Sequence, residues 1–428
     1  MRLHVFISLL LFAGHGAYAQ MSLNDCLIYA RDHAHKNIIS RLEIDRAKAD
    51  VGLTASNLMP YVSMSASGNM SFGRNIDPET NTYDNKQTLS TGFGLQMSVP
   101  LFDGLVNINN LKSARVARER LRQTARIDED AISMEVIRAF YQVSYCKAMT
   151  LQMEEQLNRD REDLKATERG VEIGSKSGAD VAELKAIVAN DEYELLNQRN
   201  LLAKAYLNLR SLMGMDLTDE PLDLVETDVE EENTETEKHP KIAEAELAVK
   251  GSRYDLRAAK GSYFPSISLN GGVSTSYYKM INTHAVYPSF ARQWRDNLGE
   301  YLGLSFSFPV FNGLASANKV KRASIALKEN EVRLEQTIYQ LEKEMREAEL
   351  DYISSSDELD AATRRLEAEE IAFTATRRKF ELGQSSAIDL YTSASKLAAA
   401  KAGVEGKRIQ KIINLITLRY CKGGKLIN

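Results

Sequence analysis

The amino-acid sequence predicts a mixed α+β membrane protein in which long helical hairpins accompany four β-strands. Three observations lead to this fold class. One sequence plan occurs twice, four segments alternate apolar and polar residues with period two, and two long tracts contain neither Pro nor Gly. Of the 428 residues, 26% are charged, and no internal run of about 20 apolar residues is present. A bundle of membrane-spanning helices is therefore excluded.

The N-terminus has the pattern of a secretory signal peptide. Arg2 precedes the apolar stretch 5–13, and Ala17-Tyr18-Ala19 supplies a small-residue cleavage site. We predict that residues 1–19 are a signal peptide and that the mature chain leaves the cytoplasm.

The rest of the chain is a duplication. Three pairs of similar segments occur in the same order, two of them separated by 209 positions and one by 205. The pairs are 99–105 with 308–314, 174–181 with 383–390, and 58–63 with 263–268. We assign 20–212 to the first repeat and 240–428 to the second. The acidic stretch 213–239 between them is expected to be a solvated linker.

Each repeat contains two segments that alternate like strands, over 61–72, 89–99, 266–277 and 301–308. Their polar faces are mostly Ser, Gly and Asn, with Glu300 assigned there as a lone charge. A soluble sandwich would alternate in the same way. However, a length of about ten residues suits a tilted strand that crosses a bilayer. The connecting segments 73–87 and 278–297 are expected to be surface loops.

Four strands cannot close a barrel, and an open sheet edge in lipid leaves backbone groups without hydrogen bonds. The barrel must therefore be shared between chains, with eight strands for two chains or twelve for three. Side chains fill the interior of an eight-stranded barrel, so a lumen favours three chains.

The tracts 105–169 and 314–382 predict very long helices. In the helix after the first tract, an apolar residue recurs every seventh position, which is the spacing of a coiled-coil seam. These residues are Val181, Val188, Leu195, Leu202 and Leu209. The sequence therefore predicts helical hairpins that pack as coiled coils.

Other classes of function have little support in the sequence. The motifs of zinc proteases, phosphate-binding loops and serine hydrolases are absent, so no enzyme, cofactor or metal site is predicted. No basic stripe for nucleic acid is present. The spacing of Cys26, Cys146 and Cys421 matches no metal or redox motif, which favours buried packing positions.

The duplicated order of helix, strand pair, Pro-x-Phe-x-Gly and helical hairpin resembles the TolC-like outer-membrane efflux proteins over nearly the whole mature chain. The resemblance implies a homotrimer, with a 12-stranded β-barrel in the outer membrane and an α-helical barrel in the periplasm. It implies a passive efflux or secretion channel with two partners, a periplasmic adaptor and an inner-membrane pump of the RND or ABC type. The alternative that the residues leave open is a periplasmic or surface coiled-coil protein with a structural or adhesive role.

The resemblance also implies a site at the periplasmic tips of the hairpins. The adaptor-contact residues that it carries over are Gly174, Asp180, Val181, Gly383, Asp389 and Leu390. Asp389 and Phe380 become candidates for a pore constriction, although capping of a helix start is the simpler role for Asp180 and Asp389. The Tyr and Arg of the family's closing network fall on Phe380 and Ser385, so that network cannot form in the same way.

Overall fold

The structure, a computed structural model, describes residues 20–76, 81–85, 87–218, 222–226, 238–281, 286–424 and 426. The predicted signal peptide lies outside the described residues. In chain order the elements are β1 (Met21–Ser22), α1 (Leu23–His33), α2 (His35–Ser56), β2 (Tyr61–Ser71), β3 (Arg74–Ile76), β4 (Tyr83–Asn85), β5 (Thr88–Phe102), α3 (Val106–Glu172), α4 (Gly178–Met213), β6 (Leu224–Val225), α5 (Pro240–Gly261), β7 (Ser266–Met280), α6 (Phe290–Asp296), β8 (Gly299–Ser307), α7 (Ala315–Glu381) and α8 (Ala387–Cys421).

The chain divides into two compact units. Unit 1 comprises Met1–Arg41, Ala125–Pro240 and Ile338–Asn428, and unit 2 comprises Leu42–Thr124 and Lys241–Thr337. Both units combine segments from both repeats. The sequence repeat is therefore not the spatial unit of the fold.

The two predicted long helices are present as α3 and α7, each of 67 residues. At a rise of about 1.5 Å per residue, such a helix is about 100 Å long. In α4, Val188, Leu195 and Leu209 of the predicted seam are buried. The seam therefore packs as its seven-residue spacing predicts.

Unit 2 is built on an antiparallel sheet with strand order β2-β5-β7-β8. All four predicted strands are confirmed. The two hairpins of the duplication have equivalent registers, because Tyr61 opposite Ser98 and Ser266 opposite Ser307 are related by the offsets of 205 and 209. β2 and β8 form the edges of this sheet, and among the described residues no further strand pairs with either of them.

The register corrects the assignment of Glu300. It lies opposite Val273 and on the same face as Leu302 and Leu304, so it belongs to the apolar face of the sheet and not to the polar one. The face of a strand residue follows from its parity along the strand and not from its charge.

The connecting segments were expected to be loops, and this is wrong in part. Residues 74–76 and 83–85 pair as a short antiparallel ribbon, and α6 occupies 290–296. Such short elements depend on contacts with the sheet, which local sequence patterns do not reveal.

The turn that leads from each β-hairpin into the long helix after it (α3 or α7) contains two consecutive residues in the left-handed conformation. Gly104 and Leu105 have φ of 69° and 65°, and Gly313 and Leu314 have φ of 63° and 66°. Gly104 contacts the backbone of Gly261 so closely that a Cβ would overlap the Gly261 carbonyl oxygen. A Cβ built on Gly313, in contrast, would have no atom of the described chain within 4 Å, apart from Gly313 itself and its two chain neighbours.

Unit 1 has a core formed by α1, α3, α4 and α8, in which Phe140, Leu209 and Met213 are fully buried. The expectation of a solvated linker fails for its residues 222–226. Leu222 is buried, and β6 pairs in parallel with β1. Residues 219–221 and 227–237 of this stretch, including Glu230–Glu232, lie outside the described residues. Cys26, Cys146 and Cys421 form no disulfide within the part of the chain that the structure describes, and all three are buried, as predicted.

Candidate functional site at the hairpin tips

Unit 1 contains both hairpin turns that the sequence singled out, which we call the first tip (170–181) and the second tip (379–390). Each long helix ends in a glycine with positive φ, 77° at Gly174 and 71° at Gly383. A left-handed residue ends a helix, and glycine adopts that conformation without a steric penalty. The amide nitrogens of Gly174 and Gly383 donate to the carbonyls of Val171 and Phe380, both at 3.0 Å.

The next helix begins in the same way at both tips, with a capping box. At the first tip the Asp180 carboxylate accepts from the amide and hydroxyl of Ser177, both at 3.0 Å, and the Ser177 hydroxyl accepts from the Asp180 amide. At the second tip Asp389 accepts from the amide and hydroxyl of Ser386, at 3.1 and 2.8 Å. The sequence Ser-x-x-Asp therefore stabilises both helix starts, which is the simpler of the two roles considered for these aspartates.

Asp389 has an additional donor in the hydroxyl of Ser385, at 3.1 Å. The two bonds from Ser386, and to a smaller extent the bond from Ser385, lower the pKa of the exposed Asp389 carboxyl below its ordinary value. Hydrogen bonds to a carboxylate favour its charged form. Asp389 is therefore a fixed negative charge at the second tip near neutral pH.

Leu390 and Phe380 are buried in an apolar cluster with Leu184 and Ala387, which joins the two hairpins. Within a single chain neither side chain is on the surface. Their predicted roles in adaptor contact and pore constriction stay predictions. Val181 is partly buried, whereas Gly174, Gly383 and Asp389 are exposed.

The sequence reasoning missed Lys176 as a partner of the second tip. Its ammonium group lies 3.1 Å from the Phe380 carbonyl oxygen and 4.3 Å from the centroid of the Phe380 ring. The stem of Lys176 passes over Gly170, where a Cβ would stand 2.7 Å from Lys176 Cγ. The second tip has Lys379 at the position of Gly170, so the two tips are not interchangeable.

A second cluster of charged groups lies between the helices, away from the turns. Burial and a hydrogen bond with Asp191 raise the pKa of Asp160 to about 8. Asp163 pairs with Arg377 at 3.5 Å. The sequence signal for this cluster is Asp191. It lies three residues after the seam residue Val188, at the second position of the seven-residue repeat where an apolar residue is usual.

The fold and the tips together define a class of protein: a chain that combines a four-stranded antiparallel sheet, apolar on one face, with long helical hairpins whose turns are capped. Among the described residues, no helix combines the length and the apolar character of a membrane-spanning helix.

Comparison with known proteins agrees with this class. The sequence profile of the family "Outer membrane efflux protein" matches residues 39–215 and 233–424. The chain is 21% identical over 395 residues to the cation efflux system protein CusC of Escherichia coli O157:H7, covering 90% of this chain and 82% of that protein. It is 21% identical over 402 residues to the toluene efflux pump outer membrane protein TtgC of Pseudomonas putida, covering 90% and 79%.

Solved structures agree in fold. A crystal structure of CusC matches with a TM-score of 0.79 at 19% identity, covering 95% of this chain and 93% of that one. The CmeC outer membrane channel of Campylobacter jejuni matches with a TM-score of 0.79 at 14% identity, covering 94% and 85%.

The chain belongs to the outer membrane efflux protein family. It is an outer-membrane efflux channel, as the sequence resemblance implied, and not a coiled-coil adhesin. The family is one of channels rather than of enzymes.

Proposed function

We propose that this chain is one third of a homotrimeric channel, which receives its cargo from a periplasmic adaptor and an inner-membrane pump of the RND or ABC type. The observation that carries the trimer is the four-stranded sheet with open edges at β2 and β8. Strands alternate in direction from β2 to β8, so β8 of one copy can pair antiparallel with β2 of the next. Three copies then give twelve strands and a lumen, with no edge left in lipid.

The duplication supplies the register of this pairing between copies. Within one chain, β5 of the first hairpin pairs with β7 of the second, and Gln96 lies opposite Gly272. The residue of the second repeat that is equivalent to Gln96 is Ser305, at an offset of 209, and the residue of the first repeat that is equivalent to Gly272 is Ser67, at an offset of 205. We therefore expect Ser305 of one copy to lie opposite Ser67 of the next. The same rule keeps the apolar residues on one face, since Leu304 then lies opposite Gly68.

Disulfide cross-linking tests this register. Ser305→Cys combined with Ser67→Cys should give covalent dimers and trimers under mild oxidation in membranes, because directly opposed Cβ atoms lie about 5 Å apart. The native cysteines are buried and should not interfere. Ser305→Cys with Ser63→Cys is the matched control, four residues out of register. Equal cross-linking in both pairs, or none in the first, would contradict the proposal.

The adaptor is proposed to bind at the tips. Ile173 and Leu382, equivalent under the 209-residue offset, are 81% and 60% exposed beside the two left-handed glycines. Exposed aliphatic side chains at two equivalent turns favour contact with another protein. We propose that Ile173 and Leu382 form the contact surface together with the exposed Gly174 and Gly383. Leu390 would stabilise the tips through its buried apolar cluster and would not contact the adaptor directly.

Ile173→Asp and Leu382→Asp together should abolish co-purification with the adaptor while leaving the oligomer in the membrane intact. Ile353→Asp is a suitable control, since Ile353 is 61% exposed on α7 far from the turns. Loss of adaptor binding in the control alone would place the docking surface elsewhere.

The relatives named for cation efflux and for toluene efflux are equally similar to this chain, at 21% identity.

A further inference from the structure

The short helix α6 covers an exposed edge of the sheet in unit 2. β8 ends its pairing with β7 at Gly299 opposite Ser274, and β7 continues six residues further to Met280. The amide of Tyr278 donates to the Gln293 side-chain oxygen at 3.0 Å, and the Gln293 side-chain nitrogen donates to the Tyr278 carbonyl at 2.9 Å.

Two further bonds complete this cover. The Asn297 side chain donates to the carbonyl of Ser276 at 2.8 Å, and the Thr275 hydroxyl donates to the carbonyl of Trp294 at 2.7 Å. The bonds of Gln293 and Asn297 satisfy backbone groups of β7 that a neighbouring strand would otherwise bind, and the bond of Thr275 fixes the backbone of α6 to the sheet. α6 is therefore held at a defined position on the sheet.

The helix packs on the apolar face of the sheet through aromatic side chains. The ring of Trp294 lies 4.4 Å from that of Phe93, and the ring of Phe290 lies 5.2 Å from that of Tyr277. Trp294 and Phe290 nevertheless remain 36% and 47% exposed. An aromatic surface thus stays uncovered on the apolar face of the sheet.

The height of this surface can be calculated from the strand geometry. Tyr277 stands ten residues above Ile267, the first residue of the apolar face of β7. Ten residues of antiparallel strand span about 34 Å, and a tilt of about 40° reduces this to about 26 Å along the membrane normal. The apolar band of a membrane barrel is about 25 Å tall and is bordered by aromatic residues.

Positive charge begins where this band ends. Lys279 follows Tyr277 on the same face and is exposed. On α6, Arg295 is exposed and Arg292 pairs with Asp296 at 3.3 Å. Lys279 and Arg295 therefore supply the net positive charge, since Glu300 lies lower on the same face, within the apolar band.

The end of the sheet that carries α6 lies opposite the end where the long helices α3 and α7 begin. Under the proposed orientation, with the helices in the periplasm, α6 faces the outer leaflet. We propose that α6 is an interfacial lipid-docking element, with Trp294 and Phe290 at the hydrocarbon boundary and Arg295 and Lys279 bound to phosphorylated lipid headgroups. Aromatic rings prefer this depth, and cationic side chains there attract anionic headgroups.

Trp294 is the single tryptophan of the chain, so its fluorescence reports directly on α6. The purified oligomer is reconstituted into phosphatidylcholine vesicles brominated near the headgroup or near the chain ends. We expect Trp294 to be quenched at least about twofold more by shallow bromines, and little by aqueous acrylamide. Met64→Trp in a Trp294→Phe background is the depth control, because Met64 lies in the middle of the apolar face and should prefer deep bromines.

Strong quenching by acrylamide would place α6 in water and overturn the proposal. Protection from both bromolipid and acrylamide would instead show that a second copy of the chain covers it, which also overturns the proposal. Either result is compatible with a working channel, so it can be distinguished from failure of the proposed function.

The headgroup contact has a separate test with the same fluorophore. In mixtures with unbrominated phosphatidylcholine, brominated phosphatidylglycerol should quench Trp294 about twofold more than brominated phosphatidylcholine does at equal fraction. Arg295→Gln with Lys279→Gln should remove this preference, whereas Lys241→Gln with Lys328→Gln, on the helices of unit 2, should keep it. No preference in the unaltered protein would exclude the phosphate contact.

Discussion

The ammonium group of Lys176 at the first tip lies 3.1 Å from the Phe380 carbonyl oxygen at the second tip and 4.3 Å from the centroid of its ring. The carbonyl belongs to the last turn of α7, where the helix dipole favours a positive charge. One lysine thus joins the two hairpins of a chain by a charged hydrogen bond and a cation–π contact.

Removing this contact should favour separation of the hairpins and an open channel. For a partly buried lysine we expect a contribution of about 1 kcal/mol, which corresponds to about a fivefold change in the open population. Lys176→Met should therefore raise the open probability in planar bilayers about fivefold. Lys379→Met is the matched control, since Lys379 is an exposed lysine at the equivalent of Gly170. If both variants open the channel equally, the loss of charge and not the contact with Phe380 is responsible.

Two roles of Asp389 can be tested separately: a ring of negative charge at the pore entrance, and the cap at the start of α8. Asp389→Asn should lower the ratio of cation to anion permeability if three such carboxylates line the pore entrance. Ser386→Ala removes the capping hydroxyl, costs about 1 kcal/mol of helix stability and keeps the charge, so the permeability ratio should not change. Reversal potentials in asymmetric salt measure both. An unchanged ratio in Asp389→Asn would leave Asp389 with the capping role alone.

The lowered pKa of Asp389 predicts how its contribution to folding stability changes with pH. Its pKa is lowered in the folded chain, so its contribution to stability is present above its ordinary pKa of 3.8. This contribution is lost as the pH falls through the lower folded value. Cation selectivity that depends on Asp389 should therefore persist down to about pH 4.

The raised pKa of Asp160 predicts the opposite change of folding stability with pH. Burial and its bond with Asp191 raise its pKa from 3.8 to about 8, so the folded chain binds this proton more tightly than the unfolded chain. Stability should therefore fall as the pH rises from about 4 to 8. Solvent screening reduces the size of this fall, because the Asp160 carboxyl is only partly buried. Asp160→Asn and Asp191→Asn should each reduce this fall, measured as the thermal midpoint in detergent at pH 6 and pH 9. Glu367→Gln, at an exposed site on α7, should keep it.

The sequence was sufficient for features that depend on local order. Period two located the strands, and the absence of Pro and Gly located α3 and α7. It was not sufficient for features that depend on which residues meet in space. Lys176 and Phe380 are 204 positions apart, and the side chain of Gln293 replaces a neighbouring strand beside Tyr278. Neither contact leaves a periodic pattern, because each forms only after distant elements have packed.

The duplicated turns allow a prediction that separates folding from assembly. Gly104 and Gly313 are equivalent, and both have positive φ, at which alanine costs about 1–2 kcal/mol. A Cβ at Gly104 would also overlap the Gly261 carbonyl, which is backbone and cannot rotate away. Gly104→Ala should therefore cost at least about 3 kcal/mol and prevent the chain from reaching the membrane in a folded form.

Gly313→Ala should fold but assemble poorly. Within one chain no atom lies within 4 Å of a Cβ built there. Gly313 is equivalent to Gly104, and Ser56, at the end of α2, is equivalent to Gly261 at an offset of 205. In the proposed trimer, Gly313 should therefore contact Ser56 of a second copy as Gly104 contacts Gly261 within one chain. We expect a normal circular dichroism spectrum for this variant together with loss of the trimer in native gels. If Gly313→Ala instead forms a stable trimer, the strand register proposed between copies is wrong at this turn.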